Sequence, residues 1–151
     1  LSERNAKYYR LEQLKQIQAD SHALYVKMHN YHWNIKGMDF FPVHDHTEVI
    51  YNNMPAIYDD TAERVLQLGG KPYLTMKELI NATKVEDEEK DSFRSKEVVE
   101  SIIKESNYLL KEFKNLSNLA SQADDKTTEA FADDHVAKLE KDLWMMTNMI
   151  S

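Results

Sequence analysis

The sequence contains four long stretches in which apolar residues recur every three or four positions. This spacing places the apolar side chains on one face of an α-helix. The chain also has only 3 glycines and 3 prolines among 151 residues. Folds built of many short strands need more turn-forming residues than that. We therefore predict an all-α fold.

Capping residues and helix breakers divide these stretches into elements. The second helix should begin near Pro42, whose missing N–H does no harm in a first turn, and should end at Gly69-Gly70. We expect Pro55 to kink it. Thr75-x-x-Glu78 is a capping box that predicts a short helix to about position 81. The other helices are predicted from about Asn5 to Asn34, from near Ser95, and from just after Asp125.

This order predicts a ferritin-like four-helix bundle, with the short helix in the crossover between helices 2 and 3. A mass of 17.7 kDa is the size of one domain, so we assign residues 1–151 to a single domain, with 1–10 as a possible flexible tail. The absence of cysteine excludes disulfides, thiolate-bound zinc and iron–sulfur clusters. Any metal must bind to His, Asp or Glu.

The charge and the apolar pattern limit the classes of partner that the chain is expected to bind. The chain carries 19 Lys and Arg against 26 Asp and Glu, a net charge of −7. This balance disfavours a nucleic acid partner. No apolar run approaches the roughly 20 residues of a membrane span, and the first residues lack an apolar signal core. We expect a cytoplasmic protein that does not enter a membrane.

Five of the six histidines lie among acidic residues between positions 22 and 63. Imidazole and carboxylate groups one turn apart suit iron, zinc or manganese. The alternative is that the polar stripe of the second helix is simply its solvated face. We favour a metal site, because aromatic residues flank the stripe and a further histidine, His32, lies beside it. The stripe, with spacings of 4, 4, 3, 4 and 4, consists of His44, Glu48, Asn52, Pro55, Asp59 and Glu63.

Helix geometry limits how these donors can combine. The turn between helices 1 and 2 should bring His32 close to His44. However, Asp59 lies 15 positions after His44, which is roughly 22 Å along a helix. One chain therefore cannot bind a single metal ion with both its histidine pair and its carboxylate pair. Two chains with antiparallel second helices would place His32 and His44 of one beside Asp59 and Glu63 of the other.

Four segments of the sequence carry recognisable motifs: Asn30-Tyr-His-Trp-Asn-Ile-Lys-Gly37, Phe40-Phe-Pro-Val-His44, Asp59-Asp-Thr-Ala-Glu-Arg-Val-Leu-Gln-Leu-Gly69 and Ala132-Asp-Asp-x-x-Ala-Lys-Leu-Glu-Lys-x-x-Trp-Met145. Together they closely resemble the Dps family of mini-ferritins, and most of all its neutrophil-activating-protein branch. The resemblance implies a dodecameric shell that oxidises Fe²⁺ with hydrogen peroxide, stores ferric mineral and protects against oxidative stress.

The resemblance also implies a ligand set for a ferroxidase site between two subunits. His32 and His44 would come from one chain, and Asp59 and Glu63 from its mate. Glu48 would bind the second of two irons, and zinc could substitute for iron. These five residues are our predicted metal ligands, and His32, His44, Asp59 and Glu63 are our predicted catalytic residues.

Alternatives remain open at this point. The shell could sequester zinc, or bind a receptor, without significant ferroxidase turnover, or the cluster could be a structural interface. The basic residues near the N-terminus are mixed with acidic ones, so we expect DNA binding to be weak or absent. His46 could be a surface residue or an extra ligand. Asp125, Glu129 and Asp133 could line an acidic pore, or could cap and solvate a helix.

Overall fold

The computed structural model describes residues 2–151, and helices account for most of this range. A two-residue strand follows the first helix, and another precedes the fourth. The elements in chain order are α1 (Glu3–Asn34), β1 (Ile35–Lys36), α2 (Phe40–Gln67), α3 (Met76–Ala82), β2 (Phe93–Arg94), α4 (Ser95–Gln122) and α5 (Lys126–Met149).

The four long helices form the predicted bundle. α1 packs against both α2 and α4, and α4 packs against α5. Residues at helical spacing from all four helices meet in one apolar core, as in α1, where Leu14, Ile17 and Met28 are buried. The all-α prediction is confirmed, as is the short helix α3 in the crossover between α2 and α4.

The helix ends follow from capping chemistry. The Ser2 hydroxyl accepts a hydrogen bond from the backbone N–H of Asn5 and starts α1 at Glu3. Residues 3–10, for which the sequence allowed a flexible tail, therefore belong to α1. Thr75 and Glu78 form both bonds of the predicted capping box. α2 continues as one helix across Pro55 and ends before Gly69, whose φ of 85° suits glycine.

The sequence analysis missed a short parallel pairing between β1 and β2. Ile35 pairs with Phe93 and Lys36 with Arg94. Ile35 and Phe93 are both buried. The pairing attaches the α1–α2 turn to the start of α4, and so holds in place the end of the bundle that carries the histidines.

A buried carboxylate fixes the crossover on α1. Asp20 is fully buried and accepts hydrogen bonds from the Thr83 hydroxyl (2.7 Å), the Lys84 backbone N–H (2.9 Å) and the Tyr108 hydroxyl (2.5 Å). These hydrogen bonds satisfy a polar side chain that has lost its contact with water. Asp20 thus joins α1 to both the crossover and α4.

Within residues 2–151, no helix combines the length and the apolar character that a membrane span requires.

Candidate metal centre

The hairpin between α1 and α2 brings His32 and His44 into direct contact. Their imidazole rings stack with centroids 3.6 Å apart and an angle of 19° between the planes. Gly37, with a φ of 115°, lies in the turn between them. The proximity of the two histidines was expected from the sequence.

Each histidine is held by the backbone of the other. Nδ1 of His32 lies 2.8 Å from the carbonyl oxygen of His44, and Nδ1 of His44 lies 2.8 Å from the carbonyl oxygen of His32. Because a carbonyl can only accept, each Nδ1 must carry the proton and donate it. In the neutral rings both Nε2 atoms therefore keep a free lone pair. This is the tautomer in which imidazole binds a metal through Nε2.

Thr47 supports this pair from the buried side of α2, and the sequence analysis did not single it out. Its hydroxyl donates to the carbonyl oxygen of His44 (2.7 Å) and lies 3.1 Å from Nδ1 of His32. Thr47 is fully buried. The only signal in the sequence was its position three residues after His44, a spacing that is common for threonine in any helix.

A group of carboxylates lies near the other end of α2. Asp59, Asp60 and Glu63 are exposed and each can place one oxygen within 4.8 Å of the others. Asp60 was not among the predicted ligands. Such a group offers the hard oxygen donors that Fe²⁺ and Mn²⁺ accept, but it lacks the imidazoles found at the opposite end.

Glu48, the predicted ligand of a second metal, lies one turn after His44 on α2 and is exposed. Its carboxylate accepts a hydrogen bond from the Tyr51 hydroxyl at 3.3 Å. The Tyr51 ring meets His32 edge-on and stacks on His29, with centroids 5.1 and 3.7 Å apart. Desolvation and the Glu48 carboxylate raise the pKa of Tyr51, so its phenol stays protonated and remains a donor.

The structure does not bring the two ends of α2 together in one chain. α2 is a single helix over Phe40–Gln67, so His44 and Asp59 stay roughly 22 Å apart along its axis. The chain therefore presents two half-sites: a preorganised imidazole pair and an exposed carboxylate group.

Asp125 is one of the three residues that could line a pore or cap a helix, and the structure shows its contacts. The Asp125 side chain is only 7% exposed and pairs with Arg10 (2.7 Å) and Arg64 (2.9 Å). It also caps α5 by accepting from the backbone N–H of Thr128. Asp125 is thus a helix cap and an ion-pair partner, and its oxygens are not available to line a pore. The sequence did not show that two arginines from other helices would converge on this cap.

Comparisons with known proteins agree with the fold. The ferritin-like domain family matches residues 11–151. The DNA protection during starvation protein of Helicobacter pylori is 49% identical over 135 residues, which cover 89% of this chain and 94% of that protein.

Two solved structures extend the comparison. The crystal structure of Helicobacter cinaedi CAIP superposes with a TM-score of 0.92 at 46% identity and covers 94% of this chain and 99% of its own. The Dps protein of Vibrio cholerae O1, described as a member of a broad superfamily of ferritin-like diiron-carboxylate proteins, has a TM-score of 0.90 at 25% identity and covers 97% and 92%. The chain belongs to the ferritin-like family, and within it to the Dps proteins.

Proposed function

We propose that this chain is the subunit of an iron-storing shell that protects the cytoplasm against oxidative stress. Two chains pair with antiparallel α2 helices, so that His32 and His44 of one chain face the partner's Asp59 and Glu63. Two Fe²⁺ ions bind there, with Glu48 as a ligand of the second, and are oxidised by hydrogen peroxide. Twelve subunits enclose the ferric product.

The observation that carries this proposal is the reciprocal hydrogen bonding of the histidine pair. Both Nδ1 protons are donated to backbone carbonyls at 2.8 Å, which leaves two adjacent Nε2 lone pairs. A structural pair of histidines has no need to keep both of these atoms free. Membership of the ferritin-like family supports iron as the metal.

The pairing of two chains supplies what each half-site lacks. Two imidazoles alone carry no negative charge to offset that of the cations, whereas the carboxylates supply charge without imidazole nitrogen. An isologous contact about a two-fold axis makes two identical composite sites. Each then combines nitrogen and oxygen donors, a set that non-haem iron accepts in an open coordination geometry.

The chain's part in the reaction is to position the metal ions. Two Fe²⁺, one hydrogen peroxide and two protons give two Fe³⁺ and two water molecules. When two Fe²⁺ ions are held side by side, each gives one electron, so peroxide is reduced in a two-electron step and no hydroxyl radical is released. No side chain becomes covalently modified in this scheme.

The test measures ferric absorbance by stopped flow after Fe²⁺ and then peroxide are added to the metal-free shell. One variant, His32→Ala with His44→Ala, removes the imidazole half-site. A second, Asp59→Ala with Glu63→Ala, removes the carboxylate half-site. Asp134→Ala with Glu140→Ala is the matched control, because it removes two exposed carboxylates of α5 outside both half-sites. Light scattering verifies that each shell is intact.

We expect rapid oxidation by the wild type and the control, and rates near those of buffer for both half-site variants. Shells assembled from equal amounts of the two inactive variants should recover about one quarter of the wild-type rate, since half of the dimers are mixed and each holds one complete site. A site confined to one chain would give no recovery. If the wild type binds metal but oxidises iron no faster than buffer, the alternative of a zinc-sequestering shell takes its place.

A further inference from the structure

Three donor atoms of different chemistry converge between α2 and α5, away from the two half-sites. Nε2 of His46 lies 3.1 Å from an Asp142 carboxylate oxygen and 3.0 Å from the Met146 sulfur. Asp142 and Met146 are one turn apart on α5, so both project from the same face of that helix.

This group is separate from the histidine pair. His44 and His46 are two positions apart on α2, and residues at that spacing do not share a helix face. His44 points back to α1, whereas His46 points to α5. Met146 is only 1% exposed, but the side chains of His46 and Asp142 are each 23% exposed. The group thus has a buried side, which holds the sulfur, and a side that reaches the solvent.

An ordinary ion pair between His46 and Asp142 accounts for only one of the two contacts. A ring nitrogen carries at most one hydrogen, which points in one direction in the ring plane. Here a carboxylate oxygen and a thioether sulfur both lie about 3 Å from the same nitrogen. Sulfur is a weak acceptor and a larger atom than oxygen, so a contact this close gains little as a hydrogen bond.

The distances instead match neighbouring ligands of one metal ion. Ligand bonds of about 2.0–2.3 Å that meet at roughly 90–100° place donor atoms about 3 Å apart. Angles near 90° are typical of the tetragonal geometry of Cu²⁺ with nitrogen and oxygen ligands, and a methionine is a common weak ligand in copper sites. A thioether also favours Cu⁺, whereas it has little affinity for Mg²⁺, Ca²⁺ or Mn²⁺.

We propose that His46, Asp142 and Met146 form a copper site. The imidazole and the carboxylate bind Cu²⁺, the thioether adds a soft donor that also holds copper supplied as Cu⁺, and the solvent-facing side leaves a position for water or an exogenous ligand. Divalent copper also forms the most stable complexes of the first-row series, so zinc and iron should compete poorly here.

The experiment uses the assembled protein in a background that lacks both half-sites, with His32, His44, Asp59 and Glu63 all changed to alanine. Copper binding is measured by equilibrium dialysis against Cu²⁺ with metal analysis, and the ligands are identified by electron paramagnetic resonance. His46→Gln is added to this background. His22→Gln is the matched control, since it removes another half-buried histidine that takes no part in either proposed site.

We expect the background and the His22→Gln control to bind one Cu²⁺ per chain, with hyperfine coupling from a single imidazole nitrogen. His46→Gln should weaken binding at least about tenfold and abolish that coupling. Met146→Leu, which conserves volume in the buried position, should change Cu²⁺ affinity little. It should weaken Cu⁺ retention at least about tenfold in competition with a chromophoric Cu⁺ chelator.

Unchanged copper binding after His46→Gln would overturn the proposal, as would a background that binds no copper or a Cu²⁺ spectrum without nitrogen coupling. The spectrum is also recorded without any substitution at His46, so the test does not depend on that variant folding. Because iron oxidation is not measured in this background, failure of the copper site and failure of the ferroxidase proposal give different results.

Discussion

Replacing Asp125 with alanine should destabilise the chain strongly, because one carboxylate joins three helices. Its oxygens lie 2.7 Å from an Arg10 nitrogen and 2.9 Å from an Arg64 nitrogen, which connects α1 and α2. The same oxygens accept from the backbone N–H and the hydroxyl of Thr128 in the first turn of α5. Asp125→Ala removes all four contacts and leaves two guanidinium groups without their partner.

The size of the effect follows from burial. Removal of one member of a buried ion pair costs about 3–5 kcal/mol, since the remaining charge stays desolvated. Loss of a helix cap costs about 0.5–2 kcal/mol. The Arg64 side chain is 20% exposed and can recover some solvation, so the low end of the first range applies. We expect the free energy of unfolding to fall by about 3.5–5 kcal/mol, with the cap included.

Acid should reduce the difference in the free energy of unfolding between the wild type and Asp125→Ala. Burial raises the pKa of Asp125, but the hydrogen bonds from Thr128 and Arg10 and the charge of Arg64 outweigh it and hold the pKa below its usual value. A carboxyl whose pKa is lowered on folding contributes stability above its unfolded pKa of about 3.9. That contribution is lost as the pH falls through the folded pKa. The gap between wild type and Asp125→Ala should therefore stay constant from about pH 5 to 8 and shrink below about pH 4.

The assay is urea unfolding followed by circular dichroism at equal protein concentration, with the oligomeric state monitored by light scattering. Asp133→Ala is the control, because Asp133 is an exposed carboxylate of α5 that accepts a single hydrogen bond from Ser117. It should change the free energy of unfolding by no more than about 0.5 kcal/mol. Equal effects of the two substitutions, or a loss below about 1 kcal/mol for Asp125→Ala, would refute the role of Asp125 in joining the helices.

Three further outcomes test other parts of the structure. Thr47→Val removes the hydroxyl that supports His32 and should weaken Fe²⁺ binding about tenfold in a calorimetric titration, whereas an unchanged affinity would show that the two carbonyls suffice. Tyr108→Phe removes the hydroxyl bonded to the buried Asp20 and should cost about 1.5–3 kcal/mol in urea unfolding. Burial and Asp20 raise the pKa of Tyr108, so wild-type stability should fall above the unfolded pKa of about 10, and the variant should lack this part of the decline. Duplex DNA should not be retained by the 151-residue chain in a gel shift at about 0.15 M salt, because the net charge is −7 and Arg10 is already paired with Asp125; tight, salt-sensitive retention would contradict this.

The helices were predictable because their signals are local. The capping box at Thr75 and the glycines after α2 act within one turn, so a single sequence is enough to place α3 and the end of α2. The pairing of Ile35 with Phe93 was not predictable in this way. It joins residues far apart in the chain and is too short to produce an alternating pattern.

The same distinction separates the two kinds of site residue. His32 and His44 flank a short turn, so the hairpin alone brings them together. The partners of His46 and Asp125 come from other helices: Asp142 and Met146 on α5 for His46, and two arginines for Asp125. Those contacts depend on how the helices are rotated and shifted against one another, which the spacing of apolar residues does not define to within one turn.

The continuity of α2 across Pro55 links the proposed chemistry to assembly. A helix broken at that position could fold back and bring Asp59 towards His44 within one chain. An unbroken helix cannot, so any site that uses both pairs of ligands needs a second copy of the chain. An isolated subunit would then hold iron only at half-sites, where a single Fe²⁺ and peroxide would give one-electron chemistry and a hydroxyl radical. In the proposed arrangement, the two-electron reaction becomes possible only after the subunits have paired. The proposed two-electron oxidation of iron therefore depends on the same contact between subunits from which the proposed shell is built.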